Sequence, residues 1–244
     1  IIGSLNLIKD LKKYNFDKIF IFNSSIRFNL IAKIAGIKDI YQYPLFKKKN
    51  QHIINAANNF LKKEINLNVV SDPQISIESK LIDETKLKYK IDESQINILL
   101  GIGGSGTTKR IPSKTFINFM KLSSKNNDCK FFLATGKNEE EQKILYEILK
   151  TEFKEKCIPL DNLTINEIMP IIKNCKISIC NDSSFSHLSA ALGIQTIVLM
   201  SDTPLLYGSY SPKMHPIIPD GENSVTHNTL GKYKINSNKI FEKL

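Results

Sequence analysis

The chain has 244 residues, of which 41% are hydrophobic and 24% charged, and its formal net charge is +10. This length supports one large or two medium domains, and the composition is that of an ordinary soluble protein. No apolar run approaches the roughly 20 residues of a membrane span, so the sequence predicts no transmembrane helix.

The positive charge is spread over the whole chain. The lysines are interleaved with isoleucine and asparagine and do not gather in one arm. We therefore interpret them as a solvated surface and expect no nucleic-acid partner. A basic surface of this kind still suits an anionic ligand or an acidic membrane surface.

The four cysteines form no Cys-x-x-Cys pair and have no partner histidines at zinc spacing. This pattern predicts buried free thiols in a reducing, cytoplasmic compartment, and no metal site. The cysteines are Cys129, Cys157, Cys175 and Cys180.

The first part of the chain has the pattern of a βαβ run without an obvious catalytic cluster. The sequence begins in the middle of a helical pattern, so we expect an N-terminal truncation. A basic loop follows at Phe46–Asn50. Apolar spacing predicts helices over Leu5–Lys13, Ile26–Ala35 and His52–Lys63, and strands over Lys18–Phe22 and Lys38–Tyr41.

The pattern loosens between residues 67 and 95. Asp72-Pro73 interrupts the chain, and a charged helical segment follows over Lys80–Lys90. We interpret this region as a linker between two α/β domains. The sequence thus predicts one domain over 1–90, linker included, and a second over 91–244.

The second part alternates strands with helices, which predicts a doubly wound parallel sheet. Ligands of such sheets bind beyond the carboxyl ends of the strands, where three polar loops fall: 101–110, 181–184 and 201–204. The predicted strands are Ile96–Leu100, Lys130–Ala134, Cys157–Leu160, Ile177–Cys180 and Ile194–Met200.

The first of these loops matches Gly-x-Gly-x-x-Gly from Gly101 to Gly106. An NAD site would need the helix to start at once and an acid at the tip of the next strand, and neither is present. A P-loop needs a lysine directly after the second glycine. What remains is a set of hydroxyls and two cations, Lys109 and Arg110, that suits a pyrophosphate. The alternative is a flexible loop with incidental lysines.

The second loop places Asp182 and two serine hydroxyls at a helix N-terminus, which favours an anion. His187 follows Ser183 by four residues, so the two share a helix face. The alternative interpretation is an ordinary capped helix, with Asp182 as the N-cap and His187 exposed.

Four motifs come in one order: Gly-Ser-Gly-Thr-Thr-Lys109-Arg-Ile-Pro, Gly136 with an acid at Glu140, Asn-Asp182-Ser-Ser-Phe-Ser-His187, and Ser-Asp-Thr-Pro204. Together they resemble bacterial ADP-heptose:lipopolysaccharide heptosyltransferases, glycosyltransferase family 9. The resemblance covers residues 96–210 well and 5–41 weakly. It implies a GT-B fold, an α/β architecture of two Rossmann-like parallel-sheet domains, here with the first incomplete. The first domain would belong to the acceptor side and the second would bind the nucleotide-sugar donor.

The resemblance also assigns roles. Lys109 would neutralise the donor phosphates, and Asp182 would accept hydroxyls of the donor sugar; these are the two expected catalytic residues. Glu140 would reach the nucleoside ribose. The remaining donor-binding residues would be Ser105, Thr107 and Thr108 in the first loop, and Ser183, Ser184 and His187 around the second. No metal or cofactor is expected, because a lysine, an imidazole and helix amides can hold the charge of the leaving diphosphate.

The resemblance implies an inverting glycosyltransferase with an ADP-linked, heptose-like donor and a glycolipid or polysaccharide acceptor of the cell envelope. A peripheral contact with the anionic inner membrane surface would fit such an acceptor. The family's general base, an Asp in a Gly-Asp loop, is expected upstream of Ile1, and neither Asp10 nor Asp17 follows a glycine at a strand end. Two other functions stay open, a nucleotide-sugar epimerase and a non-catalytic nucleotide-binding domain.

Overall fold

The computed structural model describes residues 2–43, 53–69, 72–104 and 106–244. The helices are α1 (Ile2–Tyr14), α2 (Ile26–Ile34), α3 (Ile53–Ile65), α4 (Ser79–Lys88), α5 (Ser113–Ser124), α6 (Glu139–Leu149), α7 (Ile165–Lys173), α8 (Ser184–Ala191) and α9 (Ser237–Phe241). The strands are β1 (Lys18–Ile21), β2 (Asp39–Gln42), β3 (Ile96–Gly101), β4 (Cys129–Ala134), β5 (Cys157–Pro159), β6 (Ile177–Asn181), β7 (Gln195–Leu199) and β8 (Met214–Ile217).

The larger sheet has the order β5-β4-β3-β6-β7-β8, and every pair in it is parallel. Leu99 of β3 lies opposite Phe132 on one side and Ser178 on the other. The strand order reverses between β3 and β6, which makes their carboxyl ends the switch point of the sheet. The predicted α/β class with a doubly wound parallel sheet is confirmed.

Alternate residues of the central strands enter two separate cores. Ile98 and Leu100 of β3 pack with α5 and α6, whereas Leu99 packs on the other face with α7. All three side chains are fully buried. Burial of each such side chain stabilises the fold by about 1.5–3 kcal/mol. The continuous apolar runs seen in the sequence are therefore strands covered by helices on both faces.

The chain divides into two compact units, 1–70 and 71–244, so the expected boundary near residue 90 lies inside the second unit. The physical reason is a set of hydrogen bonds. The N–H of Ile75 donates to the carbonyl of Ala191 at 2.9 Å, and the side chain of Asn174 donates to the carbonyl of Ile82 at 3.1 Å. The segment interpreted as a linker is thus packed onto the second unit. The acceptor-side and donor-side roles of the two units stay predictions.

The smaller unit contains a parallel pair, β1 and β2, with Lys18 opposite Asp39. A small core forms around Ile21, Ala32 and Ile37. These elements confirm the predicted βαβ run and its helix closed near Gly36, whose φ of +88° favours glycine. The basic loop at 46–50 and residue 52 lie outside the described residues.

Two elements beyond residue 204 were not predicted. Strand β8 extends the sheet at its edge beside β7, and α9 packs against α5. The sequence of β8 contains Pro216, which argues against a central strand but is tolerated at an edge.

Candidate active site at the switch point of the sheet

Strand β3 runs into the glycine-rich loop, and close packing explains two of its glycines. A Cβ at Gly101 would lie 2.6 Å from the Sγ of Cys180, and one at Gly103 would lie 2.8 Å from a carboxylate oxygen of Glu141. At Gly104 the nearest atom among the described residues would be 3.8 Å away. The loop is therefore too tightly packed for a side chain at Gly101 or Gly103, whereas at Gly104 the neighbours would lie at ordinary van der Waals distance.

Two buried side chains hold this loop from opposite sides. The carboxylate of Glu141 accepts the backbone N–H of Gly104 and a side-chain N–H of Asn138. Asn181, at the end of β6, donates to the carbonyl of Ile102 at 2.8 Å and accepts the N–H of Ile111 at 3.4 Å. Sequence reasoning did not assign either side chain to the site, although both fix the loop that carries it.

The two predicted catalytic residues lie side by side. The Nζ of Lys109 is 2.9 Å from Oδ2 of Asp182, with 29% and 6% of the two side chains exposed. Lys109 lies in a turn in which its N–H donates to the carbonyl of Gly106 at 3.0 Å. Asp182 directly follows β6. The pair thus spans the switch point, where ligands of doubly wound sheets bind.

Helix α8 begins immediately after this carboxylate. Its N-cap residue is Ser183, with φ −150° and ψ 173°, so the alternative in which Asp182 caps the helix is wrong. The Oγ of Ser183 is buried and has no hydrogen-bond partner among the described residues, whereas Ser184 is exposed. A buried hydroxyl without a partner, beside the free amides of a helix N-terminus, favours a ligand with acceptor oxygens.

His187 lies on the first turns of α8 and is half-buried, so the exposed ring of that alternative interpretation is also wrong. Its Nδ1 is 2.6 Å from the Oη of Tyr210. Burial lowers the pKa of His187 below its usual value; the attraction of Asp182 opposes this shift, and the repulsion of Lys109 adds to it. The imidazole is therefore neutral near pH 7.

The third polar loop meets the first, as the sequence predicts. The Oγ of Ser201 donates to the carbonyl of Thr108 at 3.0 Å. Asp202 is used for structure, because its Oδ1 accepts the N–H of Leu230 at 2.8 Å. The Nζ of Lys232 donates to the carbonyl of Thr107 at 2.9 Å. A segment near the end of the chain thus joins two of the three loops.

Arg110 and Glu140 contact each other instead of facing the pair of Lys109 and Asp182. The guanidinium of Arg110 forms an ion pair with Glu140 and donates to Oδ1 of Asn138 at 3.2 Å. Arg110 is 9% exposed, whereas the side chain of Glu140 is 65% exposed. Arg110 is therefore paired with Glu140, whereas the phosphate contact of Lys109 and the ribose contact of Glu140 stay predictions.

The other predicted donor-binding residues lie in the first loop. Thr107 is exposed and Thr108 is half-buried, and their backbone carbonyls accept the hydrogen bonds from the third loop and the C-terminal segment. Ser105 lies outside the described residues. The roles assigned to these three side chains stay predictions.

The sequence model of glycosyltransferase family 9 (heptosyltransferase) matches residues 4–234. The chain belongs to glycosyltransferase family 9. The match covers both compact units and includes every predicted site residue, which confirms the resemblance found in the sequence.

Relatives in this family share modest identity with the chain. Lipopolysaccharide heptosyltransferase 1 of Campylobacter coli is 23% identical over 265 aligned positions, covering 95% of this chain and 75% of that protein. The solved structure of E. coli ADP-heptose lps heptosyltransferase II matches with a TM-score of 0.74 at 18% identity, over 99% of this chain and 80% of that one. A family 9 glycosyl transferase from Veillonella parvula DSM 2008 matches with a TM-score of 0.76 at 15% identity, over 99% and 78%. At these identities the two structural matches show the fold.

Two further observations concern the described residues alone. They contain no helix that is both long enough and apolar enough to cross a membrane. They also contain no group of three or more His, Cys, Asp or Glu side chains that could hold a metal ion.

Proposed function

We propose that this family 9 glycosyltransferase moves a heptose-like sugar, with inversion, from an ADP-linked donor to a lipopolysaccharide-core or other envelope glycan. The relatives support the choice of donor and acceptor, since one is named a lipopolysaccharide heptosyltransferase and another an ADP-heptose lps heptosyltransferase. The chain spans 75% of the first relative's length, so the activity of the whole protein is part of the proposal.

The observation that carries the proposal is the pair formed by Lys109 and Asp182, 2.9 Å apart at the switch point. Cleavage of the bond between sugar and phosphate builds negative charge on the departing diphosphate. An ammonium group beside a helix N-terminus stabilises that charge in place, and this is the largest contribution that such a site makes to catalysis.

In this proposal the donor diphosphate lies between the glycine-rich loop and the start of α8. The buried Oγ of Ser183, which has no partner among the described residues, supplies a donor. The ammonium of Lys109 turns from Asp182 to the phosphate when the donor binds, which leaves the carboxylate to accept sugar hydroxyls. Because these groups supply the positive charge, we expect transfer to be unchanged by a chelator such as EDTA.

The remaining parts of the proposal concern architecture and location. The two units form a GT-B enzyme, in which the smaller unit contacts the acceptor and the larger one binds the donor. The enzyme works in the cytoplasm at the inner membrane, where the basic surface of a chain with net charge +10 favours anionic lipid. The epimerase alternative is less well supported, because the carboxylates of Glu140 and Asp202 already pair with Arg110 and with a backbone N–H.

A calorimetric titration tests the donor site. The wild-type chain should bind ADP, and Lys109→Ala should weaken binding more than about tenfold through loss of a charge-assisted contact. Asp182→Asn should weaken binding of the ADP-sugar more than that of ADP. Lys121→Ala, an exposed lysine on α5, is the matched control and should bind as wild type. Binding of NAD in preference to ADP would refute the donor site.

A further inference from the structure

His187 and Tyr210 form a closely coupled pair of rings. The distance from Nδ1 to Oη is 2.6 Å, the ring centroids are 5.5 Å apart, and the ring planes differ by 8°. A hydrogen bond combined with parallel rings restricts rotation of the imidazole about its own axis. With Nδ1 occupied by the phenol, Nε2 is the ring nitrogen left for a ligand.

We propose that Tyr210 is a positioning residue that fixes the tautomer and orientation of His187, so that Nε2–H donates to a phosphate oxygen of the nucleotide-sugar donor. This inference rests on the proposed function for its ligand, while the tautomer itself is a property of the free protein. Tyr210 acts through His187 and needs no contact of its own with the donor.

The protonation states of the two groups are compatible with this direction of the hydrogen bond. Burial lowers the pKa of His187 and raises the pKa of Tyr210, so the pair is a neutral imidazole and a protonated phenol near pH 7. The charged groups that act on the imidazole are Asp182, at the start of its own helix, and Lys109, from the glycine-rich loop. A neutral imidazole carries one proton, and our proposal places it on Nε2, with the phenol donating to Nδ1.

The segment that carries Tyr210 is itself held against the sheet. A Cβ at Gly208 would lie 2.4 Å from the Sδ of Met200, so this backbone is pressed onto the end of the β7 region. The Oγ of Ser209 donates to the carbonyl of Leu205 at 2.7 Å. An anchored backbone gives the phenol a fixed position, which a positioning residue requires.

Nitrogen NMR of histidine-labelled protein tests the tautomer directly. The chain has four histidines, and His187→Gln identifies the signals of interest by their loss. In the wild type we expect the Nε2–H form, with Nδ1 unprotonated. Tyr210→Phe keeps the ring and removes the hydroxyl, and it should give a mixture of tautomers. Tyr207→Phe is the matched control in the same segment and should leave the His187 signals unchanged.

Calorimetry with ADP tests the consequence for the ligand. Tyr210→Phe should weaken ADP binding about three- to tenfold, the usual effect of one net hydrogen bond. In the His187→Gln background the same change should have no further effect, because the phenol acts through the imidazole. Equal weakening in both backgrounds would show that Tyr210 acts by another route and would overturn the inference.

The two proposals can fail separately. If the wild type binds ADP but Tyr210→Phe keeps both the tautomer and the affinity, the positioning role is refuted and the donor site stands. If the wild type does not bind ADP, the proposed function is refuted, and the tautomer measurement in the free protein still decides whether Tyr210 fixes His187.

Discussion

Lys109 and Arg110 are neighbours in one loop, yet they belong to two corners of the second unit with opposite exposure. At the switch-point corner, a part-exposed lysine meets a buried carboxylate, with 29% and 6% of the side chains exposed. At the α6 corner, formed by Arg110, Asn138 and Glu140, the cation is the buried partner, at 9%, and the carboxylate is 65% exposed.

Under the proposed function, this difference separates a cation that would contact the donor from a structural one. Lys109 is accessible, and a ligand oxygen can replace the carboxylate that it contacts in the free protein. Arg110 is covered, and its guanidinium fixes the loop to α6 through Asn138 and Glu140. Two adjacent positive charges in a sequence therefore need not serve the same ligand.

The largest expected effect comes from the switch-point corner. Lys109→Ala should lower the turnover of sugar transfer about 100-fold, the usual effect of removing one group that stabilises developing negative charge. The substitution also leaves the buried carboxylate of Asp182 without its cation, so a loss of stability is expected beside the loss of turnover. Steady-state transfer assays on the whole protein, together with urea unfolding, measure both quantities. A variant that loses stability and keeps turnover would show that the pair is structural.

Arg110→Ala should lower stability and leave the turnover of sugar transfer close to that of the wild type. Loss of a covered guanidinium and its contacts with Asn138 and Glu140 should lower the free energy of unfolding by about 1–3 kcal/mol. Urea unfolding measures this loss, with the exposed Lys114→Ala on α5 as control. If Arg110→Ala instead lowers ADP affinity as strongly as Lys109→Ala does, the comparison between the two corners is wrong.

Glu141 sharpens the comparison further, because it holds the loop from the side of α6. Glu141→Gln should cost about 1–2 kcal/mol of unfolding free energy. Both carboxylate oxygens of Glu141 accept hydrogen bonds, one from Gly104 and one from Asn138, whereas a side-chain amide has a single acceptor oxygen. Glu139→Gln, an exposed position two residues earlier, is the control. Equal stability of the two variants, measured in urea, would contradict the role of Glu141.

The smallest expected effect is a dependence on pH. Because the pKa of His187 is lower in the folded protein than in the unfolded chain, the unfolded chain binds this proton first as the pH falls. The contribution of His187 to stability is complete above about pH 6.5 and is lost as the pH falls through the folded pKa. His187→Gln should therefore lose less stability between about pH 7.5 and 5.5. If urea unfolding gives His187→Gln and the wild type the same dependence of the unfolding free energy on pH, this role of His187 is refuted.

Much of the second unit could be predicted from local patterns. Helix α7 begins with a capping box of Thr164 and Glu167, a pattern that the sequence shows as Thr-x-x-Glu, and the buried apolar runs became parallel strands. The approach of Lys109 to Asp182 could also be predicted, because the carboxyl ends of neighbouring parallel strands meet at one edge of the sheet. Each of these inferences needed a periodic pattern or a fixed rule of topology.

The remainder of the site lacked such a pattern. Glu141 looks like one of three consecutive surface acids, and only the three-dimensional approach of the glycine-rich loop buries it. Tyr210 and the edge strand β8 lie in a stretch without periodicity. Their roles depend on contacts between distant parts of the chain, such as the one between His187 and Tyr210, which no sequence spacing specifies.

The hydrogen bonds from residues 230–232 have a consequence for how the protein is made. Gly231 donates to the carbonyl of Ser201 at 2.9 Å, and Lys232 reaches Thr107 across 125 positions of sequence. Contacts of such long sequence separation form slowly, and during translation the later partner emerges last. Much of the sheet can assemble on the nascent chain, whereas the edge that carries the glycine-rich loop is completed only when residues 230–232 emerge.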